Sequence, residues 1–148
     1  MIVGIGIDIV DAERLSRVVH SIQERVFTAR ELAACAGRAD RVLALAARFA
    51  AKEACLKALG TGVFEGALRH VEIVSGASGP PQLRLSGALA ARAREQCVRN
   101  AHVSLTHERG VAAAVVILEG TRARASRRPV HRRDRAGWTM ATVASGTW

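Results

Sequence analysis

Arg48-Phe49-Ala50-Ala51-Lys52-Glu53-Ala54-Cys55-Leu56-Lys57-Ala58-Leu59-Gly60 is the stretch that decides the fold. Alanine and unbranched residues favour helix, and Gly60 is a natural stop. On a helix, Phe49, Glu53 and Lys57 share one face at i, i+4 and i+8, while Arg48 and Lys52 run along the adjacent row. Read backwards, the helix begins at Asp40, with Leu43, Leu45, Ala46, Phe49, Leu56 and Leu59 marking its buried turns. Beyond Gly60, the glycines at 62 and 66 open a loop. A row of charges on a helix is commonly a solvated face. Here, however, the stretch holds both lysines of a chain that otherwise uses arginine. A compact ammonium in place of a guanidinium suits a phosphate ligand.

Towards the N-terminus, Ile2–Val10 reads as a strand, apolar on both sides as a buried strand would be. Asp11 caps a following helix whose stripe is Leu15, Val18 and Val19, with Arg14 on a basic edge. Thr28 caps a second helix, and Glu31 three residues on has capping-box spacing. Towards the C-terminus, Val71 and Ile73 mark one strand and Leu83 and Leu85 another, joined by a Gly-Pro-rich turn over 76–81. Ser86 caps a helix reaching to Val98. Two last strands, Ala101–Thr106 and Val111–Glu119, flank Glu108-Arg109-Gly110. The order β-α-α-α-β-β-α-β-β mixes strands and helices without regular alternation, which predicts a single α+β domain over residues 1–119.

The net charge of +9 suggests a nucleic-acid partner until it is located. Residues 120–148 hold seven Arg and one Asp, a balance of +6, while residues 1–119 hold 15 Lys+Arg against 12 Asp+Glu, or +3. The excess thus belongs to a stretch without apolar periodicity, which reads as an extended, flexible appendage. A basic nucleic-acid-binding module using that stretch is the competing function. No aromatic RNA-binding signature, helix-turn-helix or zinc pattern supports it. Three unpaired cysteines and no leader pattern point to a reducing cytoplasm, and no apolar run is long enough for a membrane span. With three Phe, two Trp and no Tyr, the core is alanine-rich and thin, a mild sign that subunits bury surface on one another.

Two further segments carry polar groups in apolar settings. In Gly4-Ile5-Gly6-Ile7-Asp8 a carboxylate ends an apolar strand, and the paired glycines imply a backbone approached closely by something else. In His102-Val103-Ser104-Leu105-Thr106-His107-Glu108, alternation puts His102, Ser104 and Thr106 on one face and Val103 and Leu105 on the other, with His107 near a turn. Each alone has an ordinary structural explanation: a helix-capping Asp, a solvated helix face, a turn histidine.

Together, in this order and spacing, the three segments resemble the short, single-domain phosphopantetheinyl transferases, the family of the holo-acyl-carrier-protein synthases. The resemblance covers residues 1 to about 119. It implies transfer of 4′-phosphopantetheine from coenzyme A to a serine of an acidic acyl carrier protein. It also implies a Mg²⁺ ion held by Asp8 and Glu53, and Lys57 on the pyrophosphate. A coenzyme A site would draw on Arg48, Lys52, Lys57, Gly60, Thr61, Pro81 and His107. Glu53, Lys57 and His107 are the implied catalytic groups, and Glu53, His107, Glu108 and a metal-bound water are alternatives as general base. Arg14 matches a carrier-docking position; Arg17 and Arg25 lie nearby without a matching counterpart. The family also implies a homotrimer with sites between subunits. Two departures stand out: a compact stretch between Thr28 and Arg48, and residues 120–148, which have no counterpart.

Overall fold

The computed structural model describes residues 1–62, 67–74 and 79–121. The Arg cluster at 122–135, both tryptophans, Gly66 and part of the turn over 76–81 lie outside the described residues. The element order is β1 (Ile2–Asp11), α1 (Ala12–Val26), α2 (Ala29–Cys35), α3 (Arg41–Ala58), a single 3₁₀ turn (Ala67–His70), β2 (Val71–Val74), β3 (Gln82–Leu85), α4 (Gly87–Glu95), β4 (Val98–Glu108) and β5 (Val111–Gly120). This is the predicted α+β order, with the 3₁₀ turn added.

Local signals set most boundaries. The Asp11 carboxylate accepts the Arg14 amide at 3.0 Å and starts α1. Thr28 and Glu31 form the expected capping box at α2. Asp40 precedes α3 without capping it, because its carboxylate is taken by Arg38. α4 ends at Glu95, short of the expected Val98. Cys97 turns into the left-handed region at φ 57°, and Val98 already belongs to β4.

β5 lies between β1 and β4 in an antiparallel sheet of order β1-β5-β4, and β2 pairs with β3 in a separate ribbon. α3 lies across one face of the larger sheet and is covered on its other sides by α1, α2 and β2. Twelve of its 18 residues are buried, seven of them alanine, as befits a central helix enclosed over most of its circumference. Small side chains let the sheet come close. A Cβ at Gly4 would overlap the Ala58 carbonyl oxygen, and one at Gly6 the Ala54 carbonyl oxygen. The group that approaches the paired glycines is therefore the backbone of α3.

Register assigns the faces. On the face towards α3, the rows Gly6–Val116–Val103, Asp8–Ala114–Leu105 and Val10–Ala112–His107 cross the three strands. On the opposite face run Ile5–Ile117–His102, Ile7–Val115–Ser104 and Ile9–Ala113–Thr106. Here the expectation of a strand buried on both sides is corrected. Ile5, Ile7 and Ile9 are 59%, 62% and 66% exposed, because a single chain has no layer to put over the outer face.

Candidate active site

Even-numbered residues of β1 face α3, so the parity that places Gly4 and Gly6 against the helix also points Asp8 at it. There Lys57, in the last turn of the helix, donates from Nζ to Asp8 Oδ1 at 2.8 Å and to the Ile7 carbonyl at 3.0 Å. Glu53, one turn earlier, completes the cluster. Burial raises the Glu53 carboxyl above its ordinary value, the negative charge of Asp8 adds to the rise, and Lys57 opposes it. Asp8 and Glu53 are the carboxylates here that could hold a hard divalent cation. Mg²⁺ needs no more than one or two carboxylates when phosphate oxygens and water supply the rest.

α3 ends in a Schellman turn. The Gly60 amide donates to the Lys57 carbonyl and the Thr61 amide to the Leu56 carbonyl, both at 3.0 Å, with Gly60 at φ 61°. Gln96 donates to the Leu59 carbonyl at 2.9 Å and holds the same end. Gly60 and Thr61 thus stand at a pinned helix terminus one residue-turn from Lys57.

Near the other end of α3 is a cleft of about 390 Å³. Arg38, Arg48 and His107 bring charge to it, and Ile73, Pro81 and Leu105 line its apolar side. Asp40 takes both an Nε and an Nη2 bond from Arg38 at 2.8 Å and lies 4.0 Å from His107 Nε2. The Arg38 bond, before any other influence, holds the Asp40 carboxyl below its ordinary value. Asp8 and His107 project from the same face of the sheet with β5 between their strands and one row of offset along them, a backbone separation of roughly 12 Å. The intervening inward residues are Ala112 and Ala114, which keep the floor between them low.

Lys52 is not at this surface, which corrects its expected place among the coenzyme ligands. Its side chain and that of Glu31 are both 0% exposed, with Nζ 2.8 Å from Glu31 Oε2. Nζ also donates to the Leu68 carbonyl at 2.9 Å and to the Val71 carbonyl, which uses all three ammonium protons. Burial depresses the Lys52 pKa and Glu31 works against it. Arg48 is likewise buried and donates to the Ala44 carbonyl at 3.0 Å. Lys52 is therefore interior, Arg48 shows only a small edge in the cleft, and only Lys57 of the two lysines is available to a phosphate. Among the other expected residues, Glu108 turns outward beside Arg109. Arg14 and Arg17 are exposed on α1, and Arg17 is engaged with Glu13 at 2.6 Å.

Over residues 4–116 the sequence matches the profile of the 4′-phosphopantetheinyl transferase superfamily. The chain belongs to this superfamily. It is 46% identical over 125 residues to the holo-[acyl-carrier-protein] synthase of Streptomyces griseus, covering 81% of this chain and all of that protein. The corresponding synthase of Anaeromyxobacter sp. (strain K) is 45% identical, covering 82% of this chain and 98% of that one. The fold matches the crystal structure of the Neisseria meningitidis synthase with a TM-score of 0.73 at 35% identity, covering 80% and 99% of the two chains. It also matches the Helicobacter pylori synthase in complex with coenzyme A, with a TM-score of 0.65 at 28% identity, covering 78% and 99%. The nucleic-acid module finds no support in these matches.

Sequence reasoning about this phosphopantetheinyl transferase missed Arg38, Asp40 and Glu31. Arg38-x-Asp40, just before the helix, carried the signal for the first two: opposite charges two residues apart at a helix start. Glu31 was read only as a cap. Its second role depends on Lys52 and β2, far away in sequence.

Proposed function

We propose that this chain is a holo-acyl-carrier-protein synthase, transferring 4′-phosphopantetheine from coenzyme A to a serine hydroxyl of an acidic acyl carrier protein. Adenosine 3′,5′-bisphosphate is the other product. The observation that carries the reading is the convergence of Asp8, Glu53 and Lys57 on one side of α3, with the Arg48–His107 cleft along the same helix. The serine oxygen forms a bond to the β-phosphorus as the bond from that phosphorus to the bridging oxygen of the pyrophosphate breaks. Charge accumulates on that oxygen and on the phosphoryl oxygens, and positioned cations supply most of the catalysis in such reactions. Lys57 is the protein cation for this, exchanging its Asp8 contact for the pyrophosphate. Asp8 and Glu53 would hold Mg²⁺, which when bound supplies further charge neutralisation at the phosphates. Glu53 and His107 are the inward-facing side chains able to take the serine proton.

Arg48, Pro81 and His107, joined by Arg38, form the coenzyme cleft, and Gly60 and Thr61 offer backbone near Lys57. The exposed basic edge of α1, with Arg14 and Arg17, is the docking surface for the carrier. The outer sheet face of Ile5, Ile7 and Ile9 is the centre of a homotrimer. Burying one such side chain is worth about 1.5–3 kcal/mol. Residues 1–119 are the transferase unit, 120–148 an appendage to it. The place of action is the cytoplasm: among the described residues, Cys35, Cys55 and Cys97 are free thiols and no helix is long and apolar enough to cross a membrane.

The test is mass spectrometry of an apo-acyl carrier protein incubated with the chain, coenzyme A and Mg²⁺. A phosphopantetheine mass increment on the carrier serine is expected, lost when Mg²⁺ is chelated. No increment with any apo-carrier tried would overturn the reading.

A further inference from the structure

Glu31 and Lys52 do not line the coenzyme cleft, but their buried pair joins three elements that do. Glu31 lies on α2, one turn before Ala34, which lines the cleft. Lys52 lies on α3, one turn after Arg48, which supplies cleft charge. The third arm is β2. The Ile73 amide donates to Glu31 Oε1 at 3.0 Å, and Ile73 itself forms part of the apolar wall. Lys52 ties the same strand a second time through the Val71 carbonyl, and reaches the 3₁₀ turn before it through Leu68. Glu31 Oε2 meanwhile accepts the Thr28 amide at 2.9 Å and stays locked in the cap of α2. Thr28 Oγ1 donates to Glu72 Oε1 at 3.0 Å, so α2 and β2 are joined again beside the pair. The Phe27 ring covers the ammonium at 5.7 Å and keeps water away.

Burial of a charge pair is poorly explained by stability alone, since apolar residues of similar volume commonly do as well. What an ion pair adds is direction. Every bond here has fixed donor and acceptor geometry, and each arm ends one turn or less from a cleft residue. We propose that Glu31 and Lys52 are positioning residues for coenzyme A: their buried pair sets the spacing of α2, α3 and β2, and through it the width of the cleft. This rests on the cleft being the coenzyme site, as argued above. Lys52 then serves the reaction without touching the coenzyme.

The test uses the full chain and two variants, Glu31→Gln/Lys52→Met and Glu31→Gln. The double variant removes both charges at similar volume. The single variant keeps one acceptor oxygen, for either the Thr28 or the Ile73 amide but not both, and serves if the double variant does not fold. Coenzyme A binding is measured by calorimetry, and transfer kinetics with coenzyme A and carrier protein varied separately. Expected is a rise of roughly tenfold or more in Kd and KM for coenzyme A, with a much smaller change in kcat and in KM for the carrier. Faster hydrogen exchange at the Ile73 amide should accompany it. A purely structural pair would lower Tm and the active fraction, and so kcat, with KM for coenzyme A unchanged. That result in whichever variant folds overturns the proposal. Failure of the wild-type chain to bind coenzyme A overturns the functional reading itself, and this one with it.

Discussion

Replacing Gly6 with alanine tests the link between the glycine pair and the chemistry. An added Cβ would overlap the Ala54 carbonyl oxygen and lie 2.8 Å from the Ala58 amide nitrogen. Ordinary C···O contact is about 3.3–3.6 Å, so β1 must withdraw from α3 by roughly 1 Å or more. Neither side can yield by rotating a side chain, because both surfaces are backbone. Overpacking of this kind costs about 1–3 kcal/mol. Two residues further along the same face, Asp8 would move with the strand and leave the 2.8 Å contact with Lys57. A misplacement of about 1 Å in a catalytic group can cost around a hundredfold in rate. The assay is carrier modification by mass spectrometry for kcat/KM, with thermal unfolding for stability and Gly62→Ala, where nothing stands within 4 Å, as the stability control. Gly6→Ala is expected to lower Tm by roughly 4 °C or more. It should also cut kcat/KM by far more than the loss of folded protein accounts for. A Gly6→Ala protein with wild-type Tm and wild-type kcat/KM would refute the reasoning.

Three further outcomes follow from the site and surfaces. Glu53 has a raised carboxyl pKa in the folded chain, so the folded state holds that proton more tightly than the unfolded one. Stability from this group is greatest below the ordinary carboxylate value of 4.5 and falls as pH rises through the raised folded value. Glu53→Gln is therefore expected to raise Tm at neutral pH, measured in chelator, while abolishing transfer; a lower Tm at pH 7 would contradict the burial argument. Ile7→Asp, on the outer sheet face, is expected to give a smaller particle than wild type by light scattering, and an unchanged mass would remove that face from the assembly. Arg14→Glu is expected to raise KM for the carrier at low salt and much less at high salt, since exposed charge contacts are screened. A KM independent of both charge and salt would displace docking from α1.

Much of the fold was legible because its signals are local. The helix stop at Gly60, the caps at Asp11 and Thr28, and the alternation in β4 all rest on neighbours a few residues apart. The family assignment was legible for a related reason: its three motifs are short and keep their order. The individual roles of residues were less so. Arg48 and Lys52 looked like one edge of a charged helix face, because their pattern is that of a solvated row. Only the meeting of α2, α3 and β2 shows that most of the row is covered and that Lys52 is consumed by Glu31 and two carbonyls.

By itself, the sequence determined which residues could do the chemistry: a carboxylate at the end of a glycine-spaced strand, and a carboxylate and an ammonium one turn apart on a helix. Periodicity of two and of 3.6 residues decides that much without any tertiary contact. Tertiary structure decided which charges are available. The close approach of β1 to α3 brings Asp8 to Lys57, and desolvation separates the exposed Lys57 from the buried Lys52. Burial is a property of what surrounds a residue, and what surrounds it comes from distant parts of the chain.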